Sequence, residues 1–369
     1  GSGDVVLENV AGNVTVDADG YAPADSGDAV DILQGSLRVT TDDGADNVEI
    51  HTGERFTEVN TEANAGNESG SVTVFADDLA DGDSNFTGDY LDLNGAASID
   101  VQDLQGDVDA TGMNGGLLDI STDAITGSGD IAIRAGDTDV AVDVASDSDN
   151  ENITIDAAGM SGDADDLLTL GGGAASTSVT VNDFLGELDA DGDADAATSV
   201  TSAYAGTLTV NTGELDHTAD TQYVLGTGGT TINTQEAQVA GTDGVVDLTV
   251  DADALESGTL TVSGDADILL DNVSDTVAAA GLSGELTVNS ETSETFTVTA
   301  GSAKTTVDSA NGSDITIDAA NISNDSDGDT SELVITGSGA ATVTDLNADT
   351  DASTQTGVLN VATAVNATV

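Results

Sequence analysis

Residues 153–162 read Ile-Thr-Ile-Asp-Ala-Ala-Gly-Met-Ser-Gly. The first three residues alternate β-branched and polar side chains, the period-2 pattern of a half-buried strand. The Asp, the small residues and the Gly that follow are turn chemistry. The phrase returns along the chain, as VTVDADG at Asp17, VNTEANAG at Glu62, GDVDATGMNG at Asp109, VTSAYAG at Ser202 and LTVDADALESG at Asp251. From Asp17 to Asp251, through Asp156, successive intervals are 45, 47, 47, 46 and 49 residues. The register then shifts: DTVAAAGLSG places Ala278 after 27 residues, and ITIDAANISN places Asp318 after another 40.

A period near 47 accommodates two coils of roughly 20–25 residues, the lower end of solenoid repeats. One such coil cannot enclose a core, so many must stack. The small residue after the Asp fits an inward corner with little room. The expected fold is all-β, an elongated parallel β-solenoid with Asp/Gly-rich turns. Residues 1–369 form a single repetitive solenoid in this reading, regular over 17–251 and shifted after 251. A string of β-sandwich domains is the alternative that strand spacing alone leaves open.

Composition sharpens the picture. Seventy Asp and Glu face four cations, Arg38, Arg55, Arg134 and Lys304, for a formal net charge of −66 over 369 residues. Leu, Ile, Val and Phe number 84 of 369, just above the roughly 20% below which disorder is the default. Period-2 runs such as Val72-Thr73-Val74, Leu248-Thr249-Val250 and Ile315-Thr316-Ile317 decide for ordered strands. Aromatic residues make up 2% of the chain, so the core must be thin. There is no cysteine, which excludes disulfides and thiolate metal sites. Nucleic acid is excluded as a partner because phosphate binding needs Lys and Arg. No apolar run is long enough for a transmembrane helix.

Five acidic turns are candidate metal sites. They are Asp77, Asp78, Asp81 and Asp83; Asp147, Asp149 and Glu151; Asp163, Asp165 and Asp166; Asp189, Asp191, Asp193 and Asp195; and Asp325, Asp327, Asp329 and Glu332. Ca²⁺ takes six to eight hard oxygen ligands, and carboxylates spaced two apart around a Gly can wrap one ion. None matches a complete EF-hand loop. Bound cations would also relieve the repulsion among crowded carboxylates and stabilise the folded state by linkage.

Catalytic patterns are thin. His51 and His217 make no HExxH pair, and no catalytic residue is assigned. Paired carboxylates could serve a glycosidase, but Tyr21, Tyr90, Tyr204 and Tyr223 are scattered in sequence. Nine Asn-x-Ser/Thr sequons occur, Asn152, Asn272 and Asn321 among them.

The stretches ITIDAAGMSGDADDLLTLGGGAASTSVTV (153–181) and AAAGLSGELTVNSETSETFTVTAGSAKTTV (278–307) resemble the lattice-forming part of Gram-negative surface-layer proteins of the RTX-related, type I-secreted group. The resemblance runs over roughly residues 100–369. It implies a β-solenoid clamped by calcium and assembled into two-dimensional sheets on the cell surface. The RTX nonapeptide itself is absent, so no ligand carries over from it. The expected protein is therefore an extracellular, self-assembling structural protein with Ca²⁺ as cofactor and no enzymatic activity. Its partners would be copies of itself, in a lattice or filament, and cell-surface polysaccharide. A calcium-rigidified adhesin stalk is the first alternative. A polysaccharide-active β-helix enzyme is the second, and it would need clustered carboxylates beside an aromatic platform.

Overall fold

The computed structural model describes residues 5–10, 14–17, 36–41, 48–53, 55–61, 72–77, 79, 86, 89–122, 130–145, 152–160, 166–191, 200, 202–215, 221–236, 246–255, 258–290, 295–309, 312–322, 333–346 and 348–363. The chain divides into two compact units. One comprises Gly1–Gly186 with Gly192–Gly206, the other Glu187–Asp191 with Thr207–Val369.

Each unit is built from two parallel sheets. In unit one the first sheet runs Val5–Val10, Leu37–Thr41, Thr57–Asn60, Leu91–Gly95, Val108–Met113, Asp130–Arg134, Asn152–Asp156 and Ser178–Phe184. Its second sheet runs Val14–Asp17, Val48–His51, Val72–Phe75, Ile99–Leu104, Leu117–Thr122, Asp139–Val144 and Leu167–Gly172. In unit two the first sheet runs Thr207–Leu215, Thr230–Glu236, Thr259–Gly264, Thr276–Leu282, Phe296–Thr299, Ile315–Asp318, Ala341–Leu346 and Leu359–Thr363. Its second sheet runs Glu187–Asp189, Thr221–Val224, Leu248–Asp251, Ile268–Asp271, Leu286–Ser290, Thr305–Ser309, Leu333–Gly337 and Thr350–Gln355.

The chain alternates between sheets strand by strand, so each coil lays one strand on each. That is a parallel β-solenoid, and it excludes the β-sandwich alternative, whose sheets are antiparallel. Among the described residues the one antiparallel contact is the isolated bridge Gly171–Ala203.

The core follows from the alternation. Ile153 and Ile155 are 1% and 0% exposed, and they stand in register with Ile131 and Ile133 on one side and Val179 and Val181 on the other. Like side chains stack on like, coil after coil. Burying each such aliphatic side chain stabilises by about 1.5–3 kcal/mol. Few large rings are fully enclosed, Phe184, Tyr204, Tyr223 and Phe296 being the largest buried side chains.

Among the described residues three kinds of corner recur at strand ends. In the first, the expected small inward residue is Ala: Ala76, Ala157, Ala190, Ala252 and Ala319 are all 0% exposed. A tight turn follows, closed by Met160 N–H donating to Ala157 O at 3.0 Å and Leu255 N–H to Ala252 O at 3.2 Å. In the second, Asp103, Asp183, Asn272 or Asp345 takes a left-handed φ of 53–58° and turns the next residue, Leu104, Phe184, Val273 or Leu346, into the core. Asp and Asn tolerate this conformation because their short polar side chains bond locally. In the third, a buried hydroxyl faces a glycine of the next coil, as Thr61 faces Gly95, Thr234 faces Gly264 and Ser309 faces Gly337. The hydroxyls of Thr61, Thr234 and Ser309 donate to Asn94 O, Ser263 O and Thr336 O at 3.0–3.1 Å.

The repeat positions, which a strict two-coil period would align, fall on both sheets within unit one. Asp109 and Asp156 both flank Arg134 in the first sheet of unit one, two coils apart. Asp17 lies in the second sheet, opposite His51, and Asp251 lies in the second sheet of unit two. Ser202 stands outside the strands, its carbonyl accepting from Gly172 N–H at 3.2 Å. Glu62 lies outside the described residues. The physical reason is twofold. The Ala corner ends strands of both sheets, so its spacing counts half-coils as well as whole ones. Coil length also varies: in-register partners stand 17 residues apart at Leu91 and Val108 and 34 apart at Thr57 and Leu91.

Candidate functional site

Of the five acidic turns, the structure describes Asp77, Asp166, Asp189 and Asp191. Asp77 is exposed in the turn after Val72–Phe75. Asp166 is 8% exposed and directly precedes the strand Leu167–Gly172. Asp189 ends its strand and accepts the Asp191 N–H at 3.2 Å. Asp78, Asp81, Asp83, Asp147, Asp149, Glu151, Asp163, Asp165, Asp193, Asp195, Asp325, Asp327, Asp329 and Glu332 lie outside the described residues. Among the described residues no three carboxylate or imidazole groups gather as a metal cluster.

Many described carboxylates bind backbone. Strand-end Asp156, Asp251 and Asp318 accept the N–H two residues on, at 3.1–3.3 Å. Others reach the next coil: Asp107 accepts from Ala132 N–H at 2.8 Å, Asp139 from Leu167 N–H at 3.0 Å. In unit two Asp247 accepts from Asp267 N–H at 2.7 Å and Asp267 from Glu285 N–H at 2.6 Å. Bonds to an ionised acceptor are about twice as strong as neutral ones, so these carboxylates pin coil to coil.

The outer face of the first sheet in unit one concentrates charge. Arg38, Glu58, Asp92, Asp109, Arg134 and Asp156 stand in register on successive strands. Arg38 pairs with Glu58 at 2.9 Å and Arg134 with Asp109 at 3.5 Å. Asp92 lies between two acids. Its carboxyl is raised above the usual aspartate range, first by burial and then by Glu58 and Asp109, while Asn94 pulls the other way. On the second sheet Asp100 is raised by burial and by Asp119, with its bond from Gln102 opposing. Asp143 is raised by burial and by Asp119.

All three arginines reach this part of unit one, and aromatic rings meet them there. Arg134 lies 4.0 Å over the ring of Phe86, and Arg38 lies 5.9 Å over Phe56. Phe56 and Phe86 each meet Tyr90 edge-on, at 4.9 and 5.6 Å. Arg55 pairs with Asp89 at 3.0 Å. Burial raises the Tyr90 phenol, and Asp92 and Asp109 add to it against Arg134. Carboxylates therefore do stand beside aromatic rings. Phe56 and Phe86 lie under guanidinium groups, and both meet Tyr90 edge-on.

The four cations are evident in the sequence, but the convergence of three of them is not, because coils of unequal length hide which residues share a face. Three sequon asparagines are engaged within the fold: Asn152 donates to Asp130 at 2.9 Å, Asn272 to Asp251 at 3.0 Å and Asn321 to Ala300 O at 3.2 Å. No family model, curated protein or solved structure matches the chain.

Proposed function

We propose that this chain is a structural protein of the cell exterior, a β-solenoid that takes up calcium and associates with copies of itself into a surface layer. The carrying observation is the row of acids on a closed solenoid face. Glu58, Asp92 and Asp109 sit on adjacent strands, about 4.8 Å apart by sheet geometry. Each neighbouring pair repels by about 1–3 kcal/mol in surroundings between water and protein surface. Arg38 and Arg134 bracket the row, and a chain of net charge −66 has few further cations to offer. A divalent cation relieves such rows and can take carboxylates from two copies at once, since its coordination number of six to eight exceeds what one turn supplies. The repeated corners, the closed aliphatic core and the resemblance to calcium-clamped surface-layer proteins support the same reading. The test is negative-stain microscopy of the full chain with calcium and with chelator. Sheets or filaments that need calcium support the proposal. Single particles in both conditions favour the adhesin stalk.

A further inference from the structure

Among the described residues, one face of unit two carries far less charge than the others. On the outer side of its first sheet, Thr209, Thr231 and Thr261 stand in register on three successive strands. Beside them runs a second column in which Thr259 faces Thr276, and Thr297, Thr316 and Thr342 follow one another in register. Four strands carry both columns as Thr-x-Thr: Thr207–Leu215, Thr259–Gly264, Phe296–Thr299 and Ala341–Leu346. The intervening residues, such as Leu260 and Val298, point into the core. Within the two columns the one carboxylate is Asp318, which turns back to accept its own turn's Ala320 N–H.

Strand propensity alone does not produce this. Threonine suits an outward strand position on any of the four sheet faces. Yet unit one carries the Arg38–Asp156 row on its first sheet and in-register Asp100 and Asp119 on its second. The second sheet of unit two sets Asp251 beside Asp271. Against a net charge of −66, a nearly uncharged face needs its own cause. A third column flanks the threonines and holds them in step. Asn233 donates to Asn211 at 2.7 Å, and Ser263 donates to Asn233 at 2.6 Å.

Threonines recur at steps of about 4.8 Å from strand to strand and about 6.6 Å along each Thr-x-Thr, which falls on alternate strands; Gly229, Ala278 and Asp318 take the intervening positions of the two columns. Most globular protein surfaces are aperiodic and gain little from one side chain repeated on a grid. A ligand that is itself periodic and uncharged gains more. Each threonine offers a methyl group and a hydroxyl, which together can hold water in ordered positions. The spacings are of the same scale as the oxygen–oxygen repeats on the faces of hexagonal ice. We propose that this threonine face binds ice. The assignment is independent of the surface-layer reading.

The experiment follows single ice crystals in the presence of the full chain with calcium, recording crystal shape and the gap between melting and growth temperatures. The wild type is expected to facet crystals and open a gap. Thr261→Tyr, at the centre of the array, should shrink that gap several-fold. Thr249→Tyr, on the opposite sheet, should leave it intact. Circular dichroism melts of both variants check that the fold survives, and Thr299→Ser, which removes only a methyl group, gives a milder second probe with a partial loss. Crystals that grow as rounded discs, as in buffer, overturn the proposal, as does full activity in Thr261→Tyr. So does sedimentation showing that Thr261→Tyr splits an oligomer without changing ice growth, which would assign the face to a second copy of the chain.

Discussion

Gly264→Ala tests the corner logic where it is tightest. Gly264 ends the strand Thr259–Gly264 with φ +114°, a region that side chains with a Cβ rarely enter. A methyl group there would overlap the carbonyl oxygen of Thr234 and sit 2.5 Å from its Oγ1. That hydroxyl donates to Ser263 O at 3.1 Å and accepts the Ala266 N–H at 3.4 Å. Backbone strain of this kind costs about 1–3 kcal/mol, and one displaced hydrogen bond adds about 1 kcal/mol. The sum, about 2–4 kcal/mol, corresponds to a Tm lower by about 4–16 °C for a unit of this size. Gly229 is the control, because a Cβ there meets nothing nearer than 3.9 Å. Gly229→Ala should be neutral or stabilise by about 0.4–1 kcal/mol through the unfolded chain. The assay is thermal melting by circular dichroism in saturating calcium. Equal melting of Gly264→Ala and wild type, or an equal fall in Gly229→Ala, would show that the clash at this corner does not limit stability.

Three further outcomes are expected. Asp92, Asp100 and Asp143 are raised above their ordinary 3.8 in the folded state, so the native chain binds protons more readily and, in chelator, stability should rise as pH falls from neutrality through the raised values and be lost as pH climbs back through them. Asp351, lowered by the Ser353 hydroxyl and N–H, opposes weakly; a Tm that falls on mild acidification contradicts the burial argument. Arg134→Gln removes the 3.5 Å pair with Asp109 and the Phe86 contact, and should cost about 0.5–2 kcal/mol because the pair is part-exposed; an unchanged urea midpoint would show that the cluster contributes nothing. Asp345, at φ 53°, should accept Asn silently, whereas Asp345→Val should lose about 1–2 kcal/mol; equal melts of the two variants would remove the left-handed corner from the account.

What was legible in the sequence follows from what is local. Ile153-Thr154-Ile155 announces a strand because alternation is a property of neighbouring residues. Asp156-Ala157 announces a corner because a small inward residue is needed wherever the chain turns. Solenoid class follows, since such units can bury their apolar sides only by stacking. The phase of stacking was not legible. Asp17 and Asp109 carry the same phrase but lie in different sheets, because either sheet can end in the Ala corner. The left-handed Asp103, Asp183 and Asp345 did leave a signal, apolar-x-Asp-apolar in VQDL, VNDF and VTDL, where the second apolar residue breaks the alternation. Each Thr-x-Thr is local and visible, but its alignment into columns, like the Arg38–Arg134 row, cannot be read without register, since the members lie 17 to 34 residues apart.

Static light scattering of the full chain during a calcium titration at fixed ionic strength reads assembly directly. Scattering mass should climb from that of single chains as calcium reaches millimolar levels, and excess EGTA should return it. A mass that stays at one chain throughout, at high protein concentration, contradicts calcium-driven assembly.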